Sequence, residues 1–412
     1  MAEVLTAPPM KSQSGAVRPL TRAELDARIA PYAQADSFQG YKSFAVDIAL
    51  YALGLAGVLF IGALGGKIAG GLVAGLALVS LGSLSHEAAH RSLVKSRVGN
   101  KAIAVVSFTM ILFNYRLWIY DHHVMHHGRT NVKHNNFLSP LAPAEYRDLS
   151  SFRRALYRAY HSQSGAGILL YFLLERWPTV HFYPGAWLPR RFHASAWGYA
   201  ALLAAYASSL LGLLVLVPAA RGESILAAIL CGFVLPYTIW FTTFSMTVFF
   251  QHTHPRLRWH PTIAGIAGAP EALSVHVGVP RWLNYMSHYA MEHPVHHVSA
   301  LIPHYRLKQA QAALADVAAP EIVTMRFTLA NMRDVLRRCR LYDYDEHSWL
   351  DFNGEVTAVP THAGENRAHP AERLADDLLP DHKDPESPGI FFPTNPGASA
   401  TKPAASVRRE DA

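Results

Sequence analysis

The sequence predicts an all-α integral membrane protein: four transmembrane helices in two hairpins, with a cytoplasmic helical cap that carries three histidine clusters. Three observations point there. Only 16% of the 412 residues are charged, against about 25% in ordinary soluble domains. Four apolar runs reach the roughly 20 residues that a helix needs to cross a hydrocarbon core of about 30 Å. Short polar connectors join those runs in pairs. The net charge of +7 would also suit a nucleic-acid-binding protein. Basic loops flanking membrane helices give the same total, and the apolar runs favour that reading over nucleic acid.

The elements follow in chain order. Residues 1–43 read as a cytoplasmic N-terminal segment, in which Thr21 and Glu24 have the spacing of a capping box opening a short amphipathic helix. The membrane domain is read as residues 44–353. Its first run, Phe44 to Leu64, is apolar apart from Asp47, and the second, Ile68 to Ser85, leads directly into His86. Gly65-Gly66-Lys67 is read as their connector. Ala102 to Tyr120 is apolar but interrupted by Asn114 and Arg116, which predicts an interfacial or re-entrant piece. Ile168 to Trp177 reads as an amphipathic segment lying on the bilayer. Ala196 to Ala220 and Ile225 to Phe250 are the third and fourth runs, joined through Arg221-Gly222-Glu223. Tyr305 to Arg340 reads as helices broken near Pro320. From residue 354 to 412 the composition turns to Pro, Asp, Glu, Lys and Ala without periodicity, which predicts a disordered tail. Cys231 and Cys339, far apart in sequence, suggest neither a disulfide framework nor a CxxC metal site.

Charge sets the expected orientation. Between the second and third runs lie fourteen cations, from Arg91 and Lys95 to Arg190 and Arg191, whereas the two connectors hold only Lys67 and Arg221. Positive residues mark the cytoplasmic side. Both termini and all three histidine clusters are therefore expected there.

Those clusters read His86-Glu-Ala-Ala-His90, His123-Val-Met-His126-His127 and His293-Pro-Val-His296-His297. In a helix, positions i, i+3 and i+4 share a face, so each cluster aims two or three imidazoles in one direction. Eight imidazoles exceed the four ligands of one tetrahedral zinc. They suit two ions, and imidazole donors suit iron. His252 ends the fourth run, where a rigid helix would aim it at the same place. His122, His134, His276 and His304 are read as supporting or surface groups. Glu87, Asp121 and Glu292 each adjoin a cluster and are candidate hydrogen-bond acceptors for ligand rings. His86 to His90 also matches HExxH, the zinc-protease helix motif. That reading needs one further ligand, commonly an acid on another membrane helix. The third and fourth runs contain no Asp or Glu, and both HxxHH clusters would be left without a role.

The pattern HxxxH, HxxHH, HxxHH around two apolar pairs resembles the membrane fatty acid desaturases and their hydroxylase relatives. His126-His127-Gly-Arg-Thr130-Asn131 is similar to the family's HH-x-x-TN extension, and Gln251-His252-Thr253-His254-Pro255 to the QHTHP segment of acyl-lipid desaturases. His296-His297 followed by Ile302-Pro303-His304-Tyr305 resembles the ending of the methyl-end group. Two departures stand out: Ala88-Ala89 replaces the usual Cys-Gly, and Lys133-His134 follows Asn131 in place of acidic residues. The resemblance implies two iron ions held by His86, His90, His123, His126, His127, His293, His296 and His297, with His252 as the ninth ligand. It implies an O2-dependent desaturase acting on the acyl chain of a membrane lipid, with electrons from an external, ferredoxin-like donor. A diiron hydroxylase or ketolase acting on lipid or carotenoid is the alternative, and an intramembrane zinc protease the more distant one.

Overall fold

The computed structural model describes residues 22–134, 137–262, 274–318 and 322–360. Thr21 of the expected capping box and most of the expected tail lie outside them. The described chain is mostly helical. Helix α1 is Arg22–Ile29, α2 Ser37–Phe60, α3 Leu64–Ala89, α4 Arg97–Met110, α5 Tyr115–Ile119, α6 Pro143–Asp148, α7 Ser151–Tyr160 and α8 Ala166–Tyr171. Then follow α9 His193–Ala220, α10 Ile225–Ile229, α11 Leu235–His252, α12 Arg281–Met286, α13 His293–Val298, α14 His304–Ala318 and α15 Leu329–Arg338. Wider π-helical turns run through Tyr120–His127, Phe172–Phe182 and Leu230–Val234.

Four stretches are long and apolar enough to cross a membrane: Ser37–Phe60, Leu64–Ala89, Arg190–Ala220 and Ile225–His252. They contain the second, third and fourth runs read from sequence; the first, read as Phe44 to Leu64, ends at Phe60, four residues early. Side chains fix their starts: Asp36 accepts from Phe38 N and Gln39 N to cap α2, and Ser224 accepts from Ala227 N to cap α10. Helix α3 is the most enclosed of the four, and its glycines explain why. A Cβ on Gly70 would lie 2.6 Å from Gly54 O, and one on Gly75 would lie 2.7 Å from Ile239 Cδ1. Helices α2 and α11 therefore approach α3 more closely than side chains would permit. This corrects the first connector. Gly65, Gly66 and Lys67 belong to the first turn of α3, and the chain turns earlier, at Ile61–Ala63. Gly66 leaves room for the Ile61 side chain of that turn, where a Cβ would overlap Ile61 Cγ2. Lys67, buried, donates to Val58 O and pairs with Glu223 at 2.7 Å, while Arg221 Nη2 reaches Phe60 O. The two connectors thus touch each other.

The Arg97–Met110 helix and the Tyr115–His127 stretch meet at 114°, as expected of an interrupted or re-entrant piece. Leu112 sits at φ 58°, and Asn114 fastens the bend. Its Oδ1 caps α5, while its Nδ2 donates to Phe182 O and Ala196 O. The 168–177 stretch is two-faced: Ile168, Tyr171 and Phe172 are buried, whereas Leu170, Leu173 and Leu174 are exposed.

Two small sheets depart from the all-α expectation. Strand β1 (Val275–Gly278) pairs in parallel with β2 (Val323–Arg326), and β3 (Leu341–Asp343), β4 (Ser348–Leu350) and β5 (Val356–Ala358) form an antiparallel meander. Strands of three or four residues are too short to show a period-two pattern against a helical background. Strand β5 lies past residue 353, so folded structure extends beyond the boundary read from composition.

Candidate metal centre

Each histidine cluster is delivered by a helix end. The last turn of α3 presents His86 and His90, with ring centroids 4.8 Å apart. Helix α11 ends on His252, and the short α13, opened by Pro294 in its first turn, presents His293, His296 and His297. The second cluster lies on the π-helical turns. Their wider repeat aligns residues five apart, and His122 Nε2 stands 3.0 Å from His127 Nε2.

All of these rings converge. Two groups of donor atoms form, one from His86, His90, His122, His127 and His296, the other from His126, His252, His293 and His297. His293 Nε2 lies 2.8 Å from His252 Nε2 and 2.9 Å from His297 Nε2, and His127 Nε2 lies 3.1 Å from His296 Nε2. A neutral imidazole nitrogen either donates one proton or offers one lone pair. Three nitrogens meeting at such distances suit a shared cation better than mutual hydrogen bonds. Burial and neighbouring imidazoles hold His293, His296 and His297 well below the ordinary histidine range, so they present the neutral form that ligates metal. Both nitrogens of His90 and of His123 are buried with no hydrogen-bond partner, a cost that coordination would remove. The residues present fit two ions.

Eight of the nine sequence-predicted ligands fall in the two groups. His123 lies beside them, its ring centroid 4.4 Å from His90, and His122 joins the first group instead. The α-helical spacing rule selects 123, 126 and 127 and passes over 122. The five-residue interval from His122 to His127 carries the signal once a π-helix is considered.

The neighbouring acids build the frame. Glu87 Oε2 accepts from His304 N at 2.7 Å and Nδ1 at 3.1 Å, and Ser43 Oγ meets His304 Nε2. Glu292 engages His276 and Asn284, Asp121 engages Arg176 at 2.6 Å, and Asp47 engages His288 at 2.7 Å. Glu87 is thus tied to His304, whereas the HExxH protease reading would use it as a base beside the metal.

A cavity opens against the histidines, with His86, His122, His126, His252, His293 and His296 in its wall. From there it runs between α3 and α11. Helix α3 contributes Val79, Gly82, Ser83 and His86, and α11 contributes Trp240, Thr243, Phe244, Thr247, Val248 and Gln251. The α11 set follows the spacing of a single helix face, whereas Ser85 and Glu87 of α3 also line the cavity beside His86. The shape and lining suit a hydrocarbon chain.

A family model for fatty acid desaturase matches residues 66–329. Among curated relatives, the sn-1 oleoyl-lipid 12-desaturase of Synechocystis sp. is 26% identical over 294 residues, covering 68% of this chain and 76% of that protein. The chloroplastic omega-6 fatty acid desaturase of Spinacia oleracea is 24% identical, covering 66% of this chain and 58% of its own. The sn-1 acyl-lipid omega-3 desaturase (ferredoxin) of Synechocystis sp. is 25% identical, covering 60% and 66%.

Proposed function

From a chain that belongs to the fatty acid desaturase family and is an integral membrane oxidoreductase, we propose a desaturase that inserts a double bond into a lipid-esterified acyl chain. The convergence of histidines from all three clusters and α11 on one apolar cavity carries this reading. The oleoyl-lipid name of one relative supports an already unsaturated chain, and the omega-6 name of another supports a position counted from its methyl end.

The proposed ligands are His86, His90, His123, His126, His127, His252, His293, His296 and His297, with His122 against His127. Bound there, two irons supply the oxidising chemistry toward O2 that side chains lack. The overall reaction takes two hydrogens from adjacent methylenes and consumes O2, two electrons and two protons to give two waters. The electrons come from an external donor, for which a ferredoxin is the model suggested by one relative's name. The protein's own contribution is geometric. Val79, Phe244 and Val248 line an apolar slot that excludes water, and the slot holds one carbon pair against the histidines. We further propose that α2–α3 and α9–α11 are two membrane hairpins, with the histidines and both termini on the cytoplasmic side. The cation-rich segment between them supports that orientation.

Expression in a host of defined lipid composition tests the reading. We expect iron at two per chain and a new, more unsaturated acyl species in lipid mass spectra. A single zinc without iron, or a hydroxylated or ketonic product, would overturn it.

A further inference from the structure

The cavity has a built end. Among the residues that line it, Trp240 is the one on α11 farthest along the helix from His252, and its ring is held from several directions. Its Nε1 donates to Ile111 O at 3.1 Å. Phe113 and Phe244 pack against it with centroids 5.4 and 5.2 Å away. Its edge fills the space over Gly82, where any Cβ would overlap the indole. Trp240 is buried, as is Phe108, which lines the same cavity, and Tyr237 one turn earlier is tied to Met110 O. The wall therefore rests on α3, α4 and α11 together. Along α3 the wall runs from Val79 to His86, about 10 Å at the rise of an α-helix.

We propose that Trp240, seated on Gly82, is the stop that the methyl end of the acyl chain meets, and so fixes which carbon pair lies at the metal centre. This rests on the acyl-lipid reading above. A blind apolar slot measures from the end that enters first. If the methyl terminus abuts Trp240, the carbons between it and the histidines are set by the slot's depth and not by chain length. A wall packed against backbone on three helices yields little, so the count is kept. A smaller residue at position 240 deepens the slot, lets the chain slide further in, and brings a carbon nearer the carboxyl end to the metal. A Cβ at position 82 displaces the indole and disturbs the same count. Trp240 touches substrate in this account but no reacting atom, so it governs position and not the chemistry itself.

Two experiments test this. In the first, membranes carrying wild type, Trp240→Phe or Trp240→Ala receive monounsaturated acyl lipids of three chain lengths, and the new double bonds are located by mass spectrometry. Wild type should hold a constant distance from the methyl end at every chain length. Trp240→Ala should shift the bond by one carbon or more toward the carboxyl end, and Trp240→Phe should shift it less. A position unchanged in Trp240→Ala, or one counted from the carboxyl end in wild type, overturns the proposal.

The second uses wild-type protein and needs no turnover. An acyl lipid with a methyl-terminal diazirine is photolysed in the chelator-treated, full-length protein. Label should fall on the peptides holding Trp240 and Ile111, and label confined to other peptides overturns the proposal. Loss of all desaturated product from wild type while those peptides are labelled would instead count against the function above.

Discussion

At the scale of single residues, the informative contrast is between His122 and His123. Both are enclosed, but they are satisfied differently. His122 meets His127 Nε2, whereas both nitrogens of His123 are buried with no hydrogen-bond partner beside His90, which is in the same condition. Leaving such groups unsatisfied costs about 1–3 kcal/mol each, and a metal ion at their junction removes the penalty. We therefore propose His123 as a ligand, and His122 as the group that orients His127. His123→Ala, like His126→Ala, is expected to lose iron and turnover altogether while the protein still inserts. His122→Ala is expected to lose roughly 10- to 100-fold, the usual cost of removing a ligand's neighbour. Iron per chain by mass spectrometry, with activity on the same membranes, separates them. Full iron in His123→Ala together with none in His122→Ala would reverse the assignment. Among the other eight candidates, helix-end placement accounts for the convergence of His86, His90, His252, His293, His296 and His297, whereas His126 and His127 stand on π-helical turns that α-helix spacing does not describe. His122 was not legible, because nothing in the local sequence announces the π-helical turns that bring it in.

At the scale of elements, the apolar runs were legible because membrane-spanning length is a strong constraint on composition. What the runs could not convey was contact. Helix α3 reads as an ordinary spanning segment, yet it is the element against which α2, α4 and α11 all pack, and its glycines are the means. Two other glycines at its start, Gly65 and Gly66, read in sequence as a turn, which is why the first connector was displaced by several residues. Overpacking a closely fitted interface costs about 1–3 kcal/mol. Gly70→Leu, whose side chain would enter the backbone of α2 at Gly54 and Val58, should lower the melting temperature in detergent and the yield of folded protein. Gly198→Leu, with nothing within 4 Å of its Cβ position, is the matched control and should leave both unchanged. Equal stability of the two variants would show that the α2–α3 approach is not tight. The small sheets were illegible for a different reason. Strands β1 and β2 lie 275–278 and 323–326 in the chain, so their pairing is a tertiary fact that no local pattern encodes.

At the scale of the whole molecule, two ends of different character support one orientation. At one end the connectors meet, and their cations are occupied: Lys67 and Arg221 both pair with Glu223. At the other, the histidine frame draws in residues distant in sequence. Leu25 and Ile29 of α1 share a buried cluster with Val295, Val298 and Leu307, so the segment read as a separate N-terminal stretch is packed against the third histidine cluster. The excess of cations in the segment on the histidine-bearing side is the basis on which we propose that this side faces the cytoplasm. Cysteine labelling can read this directly, since Cys231 and Cys339 are both buried and give little background. Gly222→Cys lies in the exposed second connector and Glu346→Cys in the exposed turn between β3 and β4. An impermeant maleimide added to intact cells should label Gly222→Cys and spare Glu346→Cys, and inverted membrane vesicles should give the opposite. Labelling of Glu346→Cys in intact cells would turn the molecule over. The metal centre would then face away from any cytoplasmic electron donor, so this one measurement bears on both the topology and the source of reducing power.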